Sequence, residues 1–278
     1  MGLDGARVCA IVLLLVSCAP DDGPGGRVRG PPTDSGATTA EETGADPDTA
    51  AETSDPDPDE TETTDSETEG DTASESESGC PSGMANLGAF CIDRWEAHLV
   101  AHSPYEVPAD DVVAASAEGV VPQGYISGDV ASAACELAGK RLCTVDEWMY
   151  ACEGAEARTY PYGDAYDPNA CNDTRPSHPV PDYWGDDPDM WDSEHMNDPG
   201  INQQPDTVDP AGANPECVTP DGVYDLHGNL HEWVDDPDGT FKGGFYVDAV
   251  INGAGCSYTT TAHGFTYHDY STGFRCCW

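Results

Sequence analysis

Helical periodicity is confined to two short stretches of this chain. The first, Asp129–Ala138 (DVASAACELA), is built of good helix formers. Asp129 is placed to cap its start, and Gly139 to end it as a left-handed C′ residue. The second follows Thr144-Val145-Asp146-Glu147, a capping box in which Thr144 caps the helix and Glu147 reaches back. Beyond the box, Val145, Trp148, Met149 and Cys152 recur at i, i+3, i+4 and i+7, which puts them on one helical face, and Gly154 closes the helix. Residues 155–220 lose periodicity and are rich in Pro, Gly, Asp and Asn. A structureless run of that length inside a domain needs a function or a bound metal to hold it.

The N-terminal region has a different pattern. Val8–Val16 (VCAIVLLLV) is a nine-residue apolar run behind Arg7, suited to a signal-peptide core and too short to span a bilayer. It leads into Leu15-Val16-Ser17-Cys18, which resembles the bacterial lipobox. The resemblance implies that residues 1–17 are removed and that Cys18 is lipidated. The protein would then meet the membrane through that lipid anchor. Ala19, where inner-membrane lipoproteins carry Asp, implies the outer membrane of the cell envelope. Residues 18–79 read as a disordered acidic linker. From residue 19 on they hold no aromatic side chain, and Val28 is the only large aliphatic one, too little apolar surface to offset the entropy of folding.

Charge and cysteine content narrow the class. The 278 residues carry 53 acids and 10 bases, a net charge of −43. Residues 80–278 alone carry 33 acids and 7 bases, a net of −26. Such a surface excludes nucleic acid as a partner, since phosphate binding needs clustered Lys and Arg. Ten of the 12 cysteines lie in residues 80–278, an even number that, with export, predicts up to five disulfides. Cys80 and Cys91, which flank a Gly-rich turn, are the expected first pair, and Cys256 is expected to join Cys276 or Cys277.

Five separated segments then form a recognisable series. They are Phe90–Glu96 (FCIDRWE); Gly139–Thr144 (GKRLCT) with Glu147, Trp148 and Ala151; Tyr160–Gly163 (YPYG); Gly222–Trp233 (GVYDLHGNLHEW); and Lys242-Gly243-Gly244 followed by Gly273–Cys276 (GFRC). In this order they resemble the formylglycine-generating enzyme, or sulfatase-modifying factor, family. The resemblance implies a single α+β domain over residues 80–278, with an irregular, loop-rich, C-type-lectin-like fold. It also implies an oxidase that converts a sulfatase cysteine with oxygen and Cu(I) held by two thiolates five residues apart. Here the matching stretch, 242–258, holds one cysteine, Cys256, so copper chemistry is not expected unless Cys256 is free and another donor set replaces the pair.

The same resemblance places Ca²⁺ on Asp225, the carbonyls of Gly228 and Leu230, and Glu232, oxygen donors that suit a hard cation. A second, weaker calcium set would use Asn172 and the carbonyl of Asp173. Asp225, His227, His231, Glu232, His263 and His268 form an alternative set for iron or zinc, with structural histidines as the plainer reading. Trp148 and Trp233 are expected in the core, and Arg275 is expected to pair with Glu147 or Glu232. The functional expectation is a lipid-anchored binding module for an unknown protein, peptide or glycan, stabilised by calcium. The alternative is a divergent formylglycine-generating oxidase or a non-haem iron enzyme of the same family.

Overall fold

The computed structural model describes residues 79–278. The signal segment, Cys18 and the acidic linker lie outside the described residues. The elements are short because Pro, Gly and Asp interrupt the chain so often. Strands β1 (Met84–Asn86), β2 (Cys91–Asp93), β3 (Ala97–Leu99) and β4 (Ala114–Ser116) precede helix α1 (Gly128–Leu137). Strand β5 (Arg141–Leu142) leads into α2 (Val145–Glu153), and two helical turns follow, α3 (Pro179–Trp184) and α4 (Ser193–Met196). The C-terminal part supplies β6 (His231–Trp233), β7 (Phe241–Lys242), β8 (Thr259–Thr260), β9 (Thr272–Phe274) and β10 (Cys276–Cys277).

Helix α2 forms where its sequence signals it. The Thr144 side chain accepts from the Glu147 N–H at 3.2 Å, and the Glu147 carboxylate accepts from the Thr144 N–H at 2.9 Å. Helix α1 starts one residue before Asp129, with Ser127 as its N-cap. Its entry is fixed by packing: a Cβ on Gly128 would lie 2.2 Å from the Phe265 ring, so the chain enters the helix pressed against that aromatic. The irregular run is also not wholly structureless, because the N-caps His178 and Asp192 each organise a short helix within it.

Two four-stranded sheets, in the orders β1-β2-β10-β5 and β8-β7-β6-β9, and the β3-β4 pair make the β layers. One core packs α1 against Leu99, Leu142, Trp233, Phe241 and Phe274. A second gathers Ile92, Trp148, Ala151, Val223 and Leu226 around α2. Both expected tryptophans are fully buried. The fold is thus the loop-rich, disulfide-rich α+β domain read from the sequence.

All ten cysteines of this region are in disulfides: Cys80–Cys91, Cys135–Cys276, Cys143–Cys277, Cys152–Cys256 and Cys171–Cys217. Cys256 therefore joins Cys152 on α2, not Cys276 or Cys277. Neighbouring residues of a strand point to opposite faces, and β10 uses this. Cys276 reaches α1 through Cys135, while Cys277 reaches the segment before α2 through Cys143. Each bridge is expected to stabilise by about 2–4 kcal/mol.

Candidate functional site: a buried carboxylate cluster and a closed thiol pair

The loop from Asp225 to Leu230 enters β6 in a conformation set by its residue types. Asp225 (φ 59°), Gly228 (φ 81°) and Asn229 (φ 57°) are all left-handed, a region that Asp and Asn tolerate better than other side-chain-bearing residues. Gly228 is also required sterically, because a Cβ there would stand 2.2 Å from the Asn172 carbonyl oxygen. Asn229 is the hub of this seam. Its amide donates to Glu96 Oε2 and, at 3.2 Å, to the Asp209 carbonyl. Its Oδ1 accepts from Asn172 Nδ2 at 3.0 Å and from the Asp209 N–H at 2.9 Å. Every polar capacity of that buried amide is therefore used.

Behind the hub sit Glu96, Asp225 and Glu232, each about 1–3 % exposed, with the fully buried Arg275. Arg275 donates from Nη2 to Glu232 Oε1 and from Nε to Oε2, both at 2.6 Å, a bidentate ion pair. Trp148 Nε1 donates to Oε2 at 2.8 Å. Of the two partners expected for Arg275, Glu232 is the one found, while Glu147 pairs with Arg141. Asp225 accepts from the Gly212 N–H at 2.7 Å. Burial raises the Asp225 carboxyl to about 7, the Gly212 hydrogen bond and Arg275 oppose that rise, and Glu232 and Asp209 reinforce it. Burial, with Asp225 and Glu232 nearby, pushes Glu96 well above the usual carboxylate range. Three carboxylates facing one guanidinium leave excess negative charge in a dry site, which a proton or a cation must offset.

The residues expected to hold calcium lie on this loop and on β6. Glu232 is first the ion-pair partner of Arg275, with three donors already on its two oxygens. Glu96, which the sequence reading did not single out, belongs to the cluster. Among the described residues no three His, Cys, Asp or Glu side chains converge as a metal centre. A cation here would thus draw on Asp225 and on backbone oxygens such as those of Gly228 and Leu230, a donor type that suits Ca²⁺. The side chains of the second expected pair already have partners. Asn172 donates to Asn229, and the Asp173 carboxylate pairs with His227 Nε2 at 3.1 Å and accepts from Thr174 at 3.0 Å.

The histidines do not form one centre. His227 pairs with Asp173, His231 is enclosed by Phe241, Phe245 and Tyr258, His263 stacks on Tyr267, and His268 meets Asn197. Burial lowers His231 to about 3, so it is a neutral core residue. The segment that carries the copper thiolates in catalytic relatives is closed. Cys256 is 1 % exposed and bonded to Cys152, so no thiolate in the described residues suits Cu(I). Beside it, Lys242 bonds Thr259 Oγ1 at 2.6 Å and lies over the Trp148 ring, and burial lowers its amine to about 8.

Residues 106–278 match the sulfatase-modifying factor enzyme 1-like domain, and the chain belongs to that family. It is similar to an inactive C-alpha-formylglycine-generating enzyme 2 of Bos taurus, 30% identical over 166 residues, 56% of this chain and 49% of that protein. The corresponding protein of Mus musculus is 27% identical over 149 residues, 53% of this chain and 41% of that protein. The chain thus spans about half the length, or less, of these curated relatives. Among solved structures, PvdO from Pseudomonas aeruginosa superposes with a TM-score of 0.43 at 15% identity, covering 68% of this chain and 79% of that one.

Proposed function

We propose that this chain is a non-catalytic member of its family, a calcium-stabilised binding module displayed on the cell envelope. In this reading Cys18 carries the lipid, the outer membrane holds the lipid, and residues 19–79 are the acidic stem. The observation that carries the non-catalytic reading is the Cys152–Cys256 disulfide, which consumes the cysteine in the stretch where catalytic relatives hold copper. The relatives named as inactive enzymes support the same reading. Calcium is favoured by three buried carboxylates, Glu96, Asp225 and Glu232, sharing the single guanidinium of Arg275, a site where a cation can take the place of the protons that burial favours on Glu96 and Asp225. Binding is favoured by loop side chains that stay in solvent, among them Trp191 at 51 % and Ile251 at 78 % exposure. Their partner is a protein, peptide or glycan, and the acidic surface disfavours anionic ones.

The test uses the exported full chain. Free thiols are counted under denaturing conditions, and bound Ca and Cu are measured by elemental analysis after loading and dialysis. The expected result is no free thiol in residues 80–278, about one Ca per chain that a chelator removes, and no retained Cu. A titratable Cys256 thiol or stoichiometric copper would overturn the non-catalytic reading, and absence of retained Ca would overturn the calcium one.

A further inference from the structure

Like Cys171–Cys217, the Cys80–Cys91 bridge sits in a small cluster apart from the main cores, but two features mark it. It ties down β1, the three-residue edge strand of its sheet, which pairs only with β2. Both cysteines also line a cleft of about 290 Å³, together with Gly79, Asn86, Gly88, Ala89, Phe90 and Trp278. Three of the other bridges lie inside the two large cores. The fourth, Cys171–Cys217, is anchored beside the Asn172–Asn229 seam, where Cys217 is fully buried and its carbonyl accepts from the Asp225 N–H at 3.0 Å. Thiol–disulfide exchange is governed by access to a sulfur and by the cost of local opening; Cys171, at 7 % exposure against 4 % for Cys80 and Cys91, is the nearest competitor, and it is the cleft and the edge strand that favour Cys80–Cys91.

We infer that Cys80–Cys91 is a thiol-exchange site, reducible by a dithiol protein while the rest of the domain stays oxidised and folded. An external thiolate enters the cleft, attacks one sulfur and forms a mixed disulfide, releasing the other cysteine as a thiolate that takes up a proton. The second thiol of the reductant then attacks the reductant's sulfur in the mixed disulfide and displaces the protein cysteine, which takes up the second proton. The protein cysteines thereby gain two electrons and two protons, and the reductant leaves as a disulfide. Reduction removes the covalent tie between residue 80 and β2 and leaves β1 held by its ladder, the Arg94 N–H to Gly83 carbonyl bond and the packing of Ala85. This goes beyond the binding-module reading and does not depend on calcium.

The test is a reduction time course on the oxidised full chain with a Cys-x-x-Cys reductase domain, followed by alkylation and peptide mapping. Cys80 and Cys91 should be labelled about tenfold faster than the other eight cysteines of the domain. Ala89→Trp, at an exposed position on the cleft, should slow that labelling severalfold. The Cys80→Ser/Cys91→Ser double variant should fold with four bridges and show no fast-labelling pair. Faster labelling of Cys171 and Cys217, simultaneous labelling of all ten, or a rate unmoved by Ala89→Trp would overturn the assignment.

Discussion

Asp225 carries the sharpest consequence at the scale of single residues. Its folded-state carboxyl sits near 7, above the ordinary aspartate value, so the folded chain holds a proton that the unfolded chain has lost. The contribution is complete below the unfolded value of about 4 and disappears as pH rises through about 7. Asp225→Asn removes this term and keeps a side chain that tolerates the left-handed backbone. In calcium-free buffer the variant should therefore gain stability over the parent as pH rises from about 4 to about 7, then hold a constant lead. Urea unfolding of both proteins across that range reads it directly. His231 is neutral and buried in both, so it cancels in the difference. Parallel curves would mean that Asp225 stays ionised in the fold.

The elements show which sequence signals are local and which are not. Helix α2 was legible because Thr144, Glu147 and Gly154 act within a few residues of each other. Replacing Thr144 with Ala should cost about 1 kcal/mol, measured by chemical denaturation, as for other lost caps. The cap of α1 falls two residues before Asp129, at Ser127, where Phe265, far away in sequence, packs on Gly128. The candidate site divides in the same way. Asp225, Gly228 and Glu232 lie in one short segment and could be carried over together. Glu96 acts on Asn229 and Leu230 from more than 130 residues away, and nothing in its own neighbourhood announces that role. Its local signal was its place at the end of the Phe90–Glu96 segment, just ahead of the buried strand β3, which marks the family but not the role. Disulfide partners are equally non-local, which is why Cys256 was assigned to the wrong strand.

The whole domain folds against its own charge. With 33 acids and 7 bases in residues 80–278, compaction brings like charges together. Salt should therefore raise the melting temperature steadily up to about 0.5 M, where the Debye length falls to a few ångströms. Calcium at matched ionic strength should add a further, saturating increase that Asp225→Asn abolishes. Differential scanning calorimetry separates the two. A calcium effect no larger than that of equal ionic strength of NaCl would reduce it to screening.

The bridge at the edge strand also decides how the domain bears load. A chain pulled from the N-terminal side of Gly79 delivers its tension first to Cys80, and the covalent link passes it to Cys91 at the start of β2. Strand β1 is bypassed, and the pull falls on β2, which is braced by β10 and so by the staples of Cys276 and Cys277. With the bond open, the same tension peels β1 from β2 one hydrogen bond at a time, a far weaker geometry. Cys80–Cys91 is in this sense a mechanical fuse at the N-terminal edge of the domain.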